Sequence, residues 1–388
     1  MSDDGTARAT AWLTAWDAQG IHRTATAGDE AGADWLIGEA AGLGAAPGVE
    51  DFALDRLDPI DAYLECGGEH FPGVPVFDAP TTSAGGIAGT LGPIGGPVGA
   101  EAAIAVTELS PGSVYTPDYE RLRRDPLHRS LVIVCMGAQP GLGLLNAERF
   151  RRPYGAPAIH VSSEVRDIVL AAAARRAPAR LVAASRRTPT RARNVVVMIA
   201  GHDRARAPVV VMTPRSSWWQ STAERGGGLV CWLEALRALL AFPPLGDVVF
   251  TANSGHELGH LGLDEFMSRR PGWERPVAAE GAVWVHFGAN IGAVGGDLSI
   301  QSASDDLRAL TAAELTRAGR PADRIAPKTL VPSGETRDIH HAGGRYVTLV
   351  GSNPLFHLPQ DRWPHAVDVA AVARIAAAAA GLVVRLTR

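Results

Sequence analysis

From residue 181 onward the chain alternates apolar runs of strand length with amphipathic runs of helix length. LVAASRRTPTRARNVVVMIAG and APVVVMTP come first, followed by the helical GGGLVCWLEALRALLAF and the strand DVVFTAN. A helix around LGLDEFMSRR, the strand AVWVHFGANIG, the helix SDDLRALTAAELTRAG, the strand RYVTLVG and the helix VDVAAVARIAAAAAGLVVRL close the chain. Apolar strands separated by helices predict an α/β fold, with a mostly parallel central sheet covered by helices on both faces. Residues 8–45 read as helices, with GDEAGADWLIGEAAGLG apolar at helical spacing and ended by glycine. GGIAGTLGPIGGPVGA, residues 85–100, is turn-rich and suits short strands and loops, and RSLVIVCMG and YGAPAIHVSS read as buried strands. The expected organisation is one α/β domain over 1–54 and 161–388, interrupted by a small β-rich insert over 55–160.

Composition narrows the partners. Of 388 residues 46% are apolar and 20% charged, and the formal net charge is -4, so the chain reads as an ordinary globular protein of about two domains. Its basic residues are dispersed, which argues against a nucleic-acid partner. Cys66, Cys135 and Cys231 are far apart and odd in number, so neither a disulfide framework nor a zinc–cysteine cluster is expected. MSDDGTARATAWLTAW is acidic and lacks a long apolar core. No signal peptide and no membrane-spanning run is expected, and the expected location is the cytoplasm. The oligomeric state is left open.

In such sheets function sits in loops beyond the carboxyl ends of the strands. There, after DVVFTAN, stands SGHELGHLG. His256-Glu257-x-x-His260 has the spacing of a zinc-protease helix, which would put both imidazoles on one face with Glu257 as base and Glu280 as a possible third ligand. Against that reading, the motif follows a strand directly, and Gly259 and Gly262 are unfavourable inside a helix. A packed or outer-lying His260 is the expected alternative.

The order of motifs resembles the co-catalytic zinc aminopeptidases, the group that includes aminopeptidase Y, glutamate carboxypeptidase and glutaminyl cyclase. HRTATAGDEAGADWLIGEAAGLG is similar to that family's opening helix. SLVIVCMG and YGAPAIHVSS resemble the protease-associated domain that many members carry. NVVVMIAG with APVVVMTP resembles the paired strands before the first metal ligand, DVVFTANSGHELGHLG the strand followed by Gly-Glu-Glu-x-Gly-x-x-Gly, and FHLPQD the closing Tyr-His-x-Pro-x-Asp.

Carried over residue by residue, the resemblance implies a reduced site. The first histidine ligand falls on Pro214, the aspartate that orients it on Ser216, and the later aspartate ligand near Ala289. The metal-bridging aspartate falls on Glu224, the general-base glutamate on His256, the second glutamate on Glu257, and the last histidine on His357, with Asp361 four residues on. One ligand set is thus lost, while Glu224, Glu257 and His357 survive as O, O and N donors. With an open position these could hold one divalent metal, zinc first and iron or copper as alternatives. Glutaminyl cyclase resembles a precedent for one-metal chemistry. Glu224 also reads as a loop carboxylate, Glu257 as a carboxylate at a helix start, and His256 as base, ligand or a position released from its old role. Arg215 and Arg225 could hold a substrate carboxylate, Trp218 and Trp219 could wall a pocket, and DIHHAGG places His340 and His341 where the family lines its substrate site.

The resemblance therefore implies a metal-dependent hydrolase or acyl-transfer enzyme, acting on an amide-like bond of a small molecule or short peptide, plausibly anionic. The alternative is a metal-free pseudo-peptidase serving as a binding module. His256 is the expected proton carrier in the first reading.

Overall fold

The computed structural model describes residues 3–94 and 103–388. Residues 95–100 of the turn-rich stretch lie outside the described residues. The remainder of that stretch includes a strand over 87–93, as its sequence suggested. In chain order the strands are β1 (Pro47–Cys66), β2 (Glu69–Pro75), β3 (Ile87–Pro93), β4 (Ile104–Leu109), β5 (Ser130–Cys135), β6 (Ala158–Val161) and β7 (Pro178–Ile199). They continue with β8 (Val209–Pro214), β9 (Val248–Asn253), β10 (Val283–Phe287), β11 (Leu298–Gln301), β12 (Arg324–Ile325) and β13 (Arg345–Gly351).

All of these strands join one hydrogen-bonded network, in the order β1-β2-β6-β5-β4-β3-β7-β9-β8-β10-β13-β11-β12, with β1 also paired to β7. The sheet is α/β as expected, but mixed rather than mostly parallel. Four neighbours, β9, β8, β10 and β13, run parallel. β7 joins β9, and β11 joins β13, antiparallel. The reason lies in the connections. β7 is antiparallel to β1 along nearly its whole length, from Pro47 opposite Val197 to Cys66 opposite Ala179. It therefore enters the main sheet as the second arm of a ribbon, not through a crossover helix, and only crossovers enforce parallel pairing.

Alternation along the strands explains the two covered faces. Val195, Val197, Val211, Phe250 and Phe287 pack into one core with the helices Asp3–Asp17, Gly227–Ala241 and Val369–Leu386. Val196, Val210, Met212, Val249 and Trp284 pack into another, with Leu263 and Phe266 of the helix Leu261–Ser268. Successive strand residues point to opposite faces, so near-continuous apolar runs require a layer on each side. Trp232 meets Phe250 edge-on at 5.3 Å deep in the first core. Cutting such a phenylalanine to alanine costs about 3–5 kcal/mol.

The helix Val369–Leu386 departs from one expectation. Its 18 residues, with mean hydropathy 1.9, suffice in length and composition to cross a membrane, although no such run was expected. Half of that stretch is buried here, and Val372, Ile375, Leu382 and Val383 belong to the main core.

The β-rich region has a core of its own, built on Leu64, Leu91, Ile104, Val132, Val134, Ile159 and Leu181. The expected boundary at 55 falls inside β1 and the one at 160 inside β6. Sequence composition changes there, but the strands run straight through.

Candidate functional site

β8, β9, β10 and β13 are parallel, so their exit loops gather along one edge of the sheet. Arg215 and Ser216 follow β8, His256 and Glu257 follow β9, Asn290 follows β10, and His357 lies in the loop after β13. Glu224 and Arg225 come from the turn Thr222–Gly226, which leads into the helix Gly227–Ala241.

The HELGH stretch does not form one helix. His256–Leu258 make a single tight turn, Gly259 and His260 are both left-handed with φ of 82° and 61°, and only then does the helix Leu261–Ser268 begin. Gly259 is required: a Cβ there would stand 2.7 Å from the Glu148 carbonyl oxygen. His256 and His260 nevertheless end with ring centroids 4.9 Å apart, because the chain doubles back. Glu280 is exposed on a distant turn.

Glu257 is fully buried, and its carboxylate is committed to other residues. Oε1 accepts hydrogen bonds from the Thr24 backbone N–H and the Thr24 hydroxyl, both at 2.7 Å. Oε2 accepts one from the Ser216 hydroxyl at 2.6 Å. Ser216 Oγ in turn accepts from the N–H groups of Gly255 and His256 at 2.8 and 3.1 Å. Three of the roughly four acceptor positions of this carboxylate are thereby used. Glu257 ties the N-terminal segment to the exits of β8 and β9.

Glu224 and His357 do meet. His357 Nε2 lies 3.6 Å from Glu224 Oε1. His357 Nδ1 is 2.7 Å from the Leu144 carbonyl oxygen, so Nδ1 carries the proton and donates it there. Nε2 is left as a bare lone pair facing a carboxylate. Between such acceptors a cation or a donor group is required, and Arg225 supplies one: its Nη2 is 2.7 Å from Glu224 Oε1. Arg225 Nε donates to the Ser216 carbonyl at 2.7 Å. Beyond the ion pair, Arg225 Nη1 and Nη2, both Glu224 oxygens, His357 Nε2 and Asn290 Oδ1 are buried without hydrogen-bond partners. Asn290 is anchored beside Glu224 by its N–H, which donates to the Glu224 carbonyl at 2.9 Å. Buried polar groups are normally satisfied, so this concentration of open donors and acceptors sets the cluster, called the chamber below, apart from the packed core.

Histidines border the same chamber. His256 is 7% exposed, and its Nδ1 lies 3.4 Å from Glu335 Oε1. His286, on β10, has Nε2 without a partner, as does His260. Gly334 is the bridge to the surface. A Cβ on it would stand 3.4 Å from His286 Cε1 and 3.6 Å from His256 Cε1. The same glycine lines an open cleft of about 660 Å³ with Tyr115, Glu148, Arg337 and His341.

Electrostatics keep most of these imidazoles neutral. Burial, reinforced by Arg225 and the neighbouring histidines, pushes His256 well below its ordinary value. Burial takes His286 down to about 3. Burial also lowers His357, and the nearby Glu224 only partly opposes it. His260 is the exception: burial lowers it, but Asp338, Glu148 and Glu335 outweigh that and raise it overall. Burial raises Glu335 despite the hydrogen bond from Asn253.

Several other expected contacts fall elsewhere. Arg215 is fully buried and serves the fold. Its Nη1 pairs with Asp29 Oδ1 at 2.8 Å and bonds the Asp29 carbonyl, and its Nη2 donates to the Arg193 carbonyl at 2.7 Å. Trp218 donates to Asn146 Oδ1 at 3.1 Å and, with Trp219, Phe77 and Leu144, walls a separate apolar cavity of about 510 Å³. His340 Nδ1 is engaged with the Tyr346 hydroxyl at 2.9 Å, while His341 lines the open cleft. Asp361 accepts from the N–H groups of Ala223 and Glu224 at 2.7 and 3.0 Å and so fixes the Glu224 turn; burial pushes its carboxyl up to about 7.

The donor set does not fit the expected metal. Among the described residues no three His, Cys, Asp or Glu side chains are gathered as a metal ion would require. The physical reason is visible in the partners. Glu257 is spent on Thr24 and Ser216, and a guanidinium stands against Glu224, where it would repel a second cation. The trio Glu224, Glu257 and His357 is thus two neighbours and one structural anchor.

His286 and Glu335 had not been singled out in the sequence. A histidine inside the apolar run VWVHF was the available signal for the first; SGETRD offers none for the second.

No family model and no curated protein matches this sequence. Solved structures do. A zinc aminopeptidase from Bacillus subtilis superposes with a TM-score of 0.76 at 16% identity, covering 96% of this chain and 94% of that one. A peptidase M28 precursor from Shewanella amazonensis gives 0.76 at 16% identity over 100% and 96% of the two chains. A glutaminyl cyclase from Fimbriiglobus ruber gives 0.53 at 11% identity over 98% and 94%. The chain therefore has the fold of the zinc aminopeptidases, shared with a glutaminyl cyclase.

Proposed function

We propose that the chain is a hydrolase or acyl-transfer enzyme acting on an amide-like bond of a small anionic substrate, with His256 as the group that moves the proton. The fold is one on which peptidases and a cyclase are built. The observation that carries the reading is the His256–Glu335 pair, which lies behind Gly334 of the cleft wall. A neutral imidazole can accept a proton from water, and a carboxyl on its other nitrogen fixes the ring and stabilises the imidazolium that forms. Water so activated would attack the carbonyl carbon, and the imidazolium would return the proton to the leaving nitrogen. No step is assigned to a metal, since the donors do not fit one.

The test is turnover of a panel of N-acyl amino acids and short acidic peptides by the wild-type chain and by His256→Gln and Glu335→Gln. The expected result is turnover by wild type and a loss of about 100-fold or more for His256→Gln. Full activity in His256→Gln rejects the proposal. A metal-free binding module is the second reading, favoured by the structural use of Glu257. Ligand binding with no turnover across the panel would select it.

A further inference from the structure

We infer that the Arg225 guanidinium is the fixed cation of this site, standing beside Glu224 and His357 where the metal was expected, and that its free face takes a small carboxylate. The inference rests on the proposed use of the chamber, but it concerns what the chamber holds rather than what it catalyses.

Three observations carry it. Arg225 is 1% exposed and comes from the turn that also supplies Glu224, so its charge cannot be withdrawn to solvent. Glu224 Oε1 is shared between Arg225 Nη2 at 2.7 Å and His357 Nε2 at 3.6 Å, so the guanidinium neutralises the carboxylate that the imidazole lone pair faces. Nη1 has no hydrogen-bond partner at all, although both guanidinium nitrogens are buried. A guanidinium offers its donors as a planar fork that matches the two oxygens of a carboxylate. Its charge also acts on His256, His286, His357, Glu335 and the cleft residue Tyr115.

The other charges near the chamber are already matched. Arg337 pairs with Glu148 at 2.8 Å, and His260 lies 3.6 Å from Asp338. Neither leaves an unpaired buried cation to compete with Arg225 for an anion. Behind Gly334 stand His256 and His286, both kept neutral by burial, so beside them the half-used guanidinium is the group that attracts an anion.

The experiment uses the full chain and two probes, zinc alone and acetate alone. Wild type is equilibrated with excess zinc, desalted and analysed for metal. In parallel its thermal midpoint is followed against acetate concentration. The expected result is essentially no retained zinc, no zinc-dependent shift, and a saturable rise with acetate. In Arg225→Gln the apparent acetate affinity falls about tenfold to a hundredfold, the loss expected for a charge-assisted hydrogen bond. Should Arg225→Gln fold poorly, Glu224→Gln/Arg225→Gln removes both charges together and must show the same loss. Retention of close to one zinc per chain by wild type overturns the inference, as does an acetate response unchanged by either variant. These outcomes are independent of the turnover test: an active enzyme that holds zinc sinks this inference alone, and an inactive one that binds acetate through Arg225 sinks only the catalytic reading.

Discussion

Two buried arginine–carboxylate pairs, whose arginines lie ten residues apart in sequence, are built differently. Asp29–Arg215 is bonded on most sides, with only Asp29 Oδ1, which meets Arg215 in the ion pair, and Arg215 Nε lacking a hydrogen bond. Asp29 Oδ2 accepts from the Ala25 N–H and the Ser254 hydroxyl at 2.8 Å each, while Arg215 bonds two backbone carbonyls. Glu224–Arg225 has one backbone bond from Nε and otherwise empty valences on both partners. A charge buried for stability collects partners until its lost hydration is offset; one held with its valences open is held for something else. The first pair joins the N-terminal segment to the sheet, and the second faces the chamber.

The contrast can be broken by experiment. The largest effect expected is from acid. His22, His160 and His286 are held by burial at about 3, against about 6.5 for an exposed histidine. The unfolded chain binds more protons between those values, so stability falls as pH drops from about 6.5 toward 3, by up to about 1.4 kcal/mol per pH unit for each histidine. Denaturant midpoints across that range check the sign, and His286→Gln should remove one of the three contributions. A flat profile would mean these rings are charged in the fold.

Next is Arg215→Met, expected to cost about 3–5 kcal/mol because it strands Asp29 in the interior. The paired removal Glu224→Gln/Arg225→Gln should cost far less, within about 1 kcal/mol of wild type, since few satisfied bonds are lost. Equal losses for Asp29→Asn/Arg215→Gln and Glu224→Gln/Arg225→Gln, read from urea midpoints, would erase the distinction. The smallest effect is His341→Ala. This exposed residue on the cleft wall should change stability by less than about 0.5 kcal/mol and leave acetate binding in place.

The legible part of the sequence was the part governed by periodicity. The apolar runs at 195–199, 209–214, 248–253, 283–287 and 345–351 are all strands of the main sheet, and their parallel core follows from the helices between them. The glycines of SGHELGHLG told correctly against a continuous helix. What escaped was pairing direction and partnership. Nothing in SRRTPTRAR marks it as the middle of a 22-residue strand shared by several cores. Glu257 keeps the residue type of a ligand, and only the folded chain reveals that Thr24, far away in sequence, has claimed it. Arg225 could be named as a candidate, but its stance against Glu224 depends on the turn Thr222–Gly226 and on Asp361 fixing that turn from below.

The ribbon of β1 and β7 has a mechanical consequence. It passes through both hydrophobic centres with one interruption of register, between Pro59 and Asp61. Among the described residues the β-rich lobe joins the rest through these two continuously paired strands, which couple it stiffly to the main sheet. Any opening of the cleft beneath it must come from elastic twist of a two-stranded beam, concentrated at that one irregular step. Small-amplitude breathing is the motion such a beam permits.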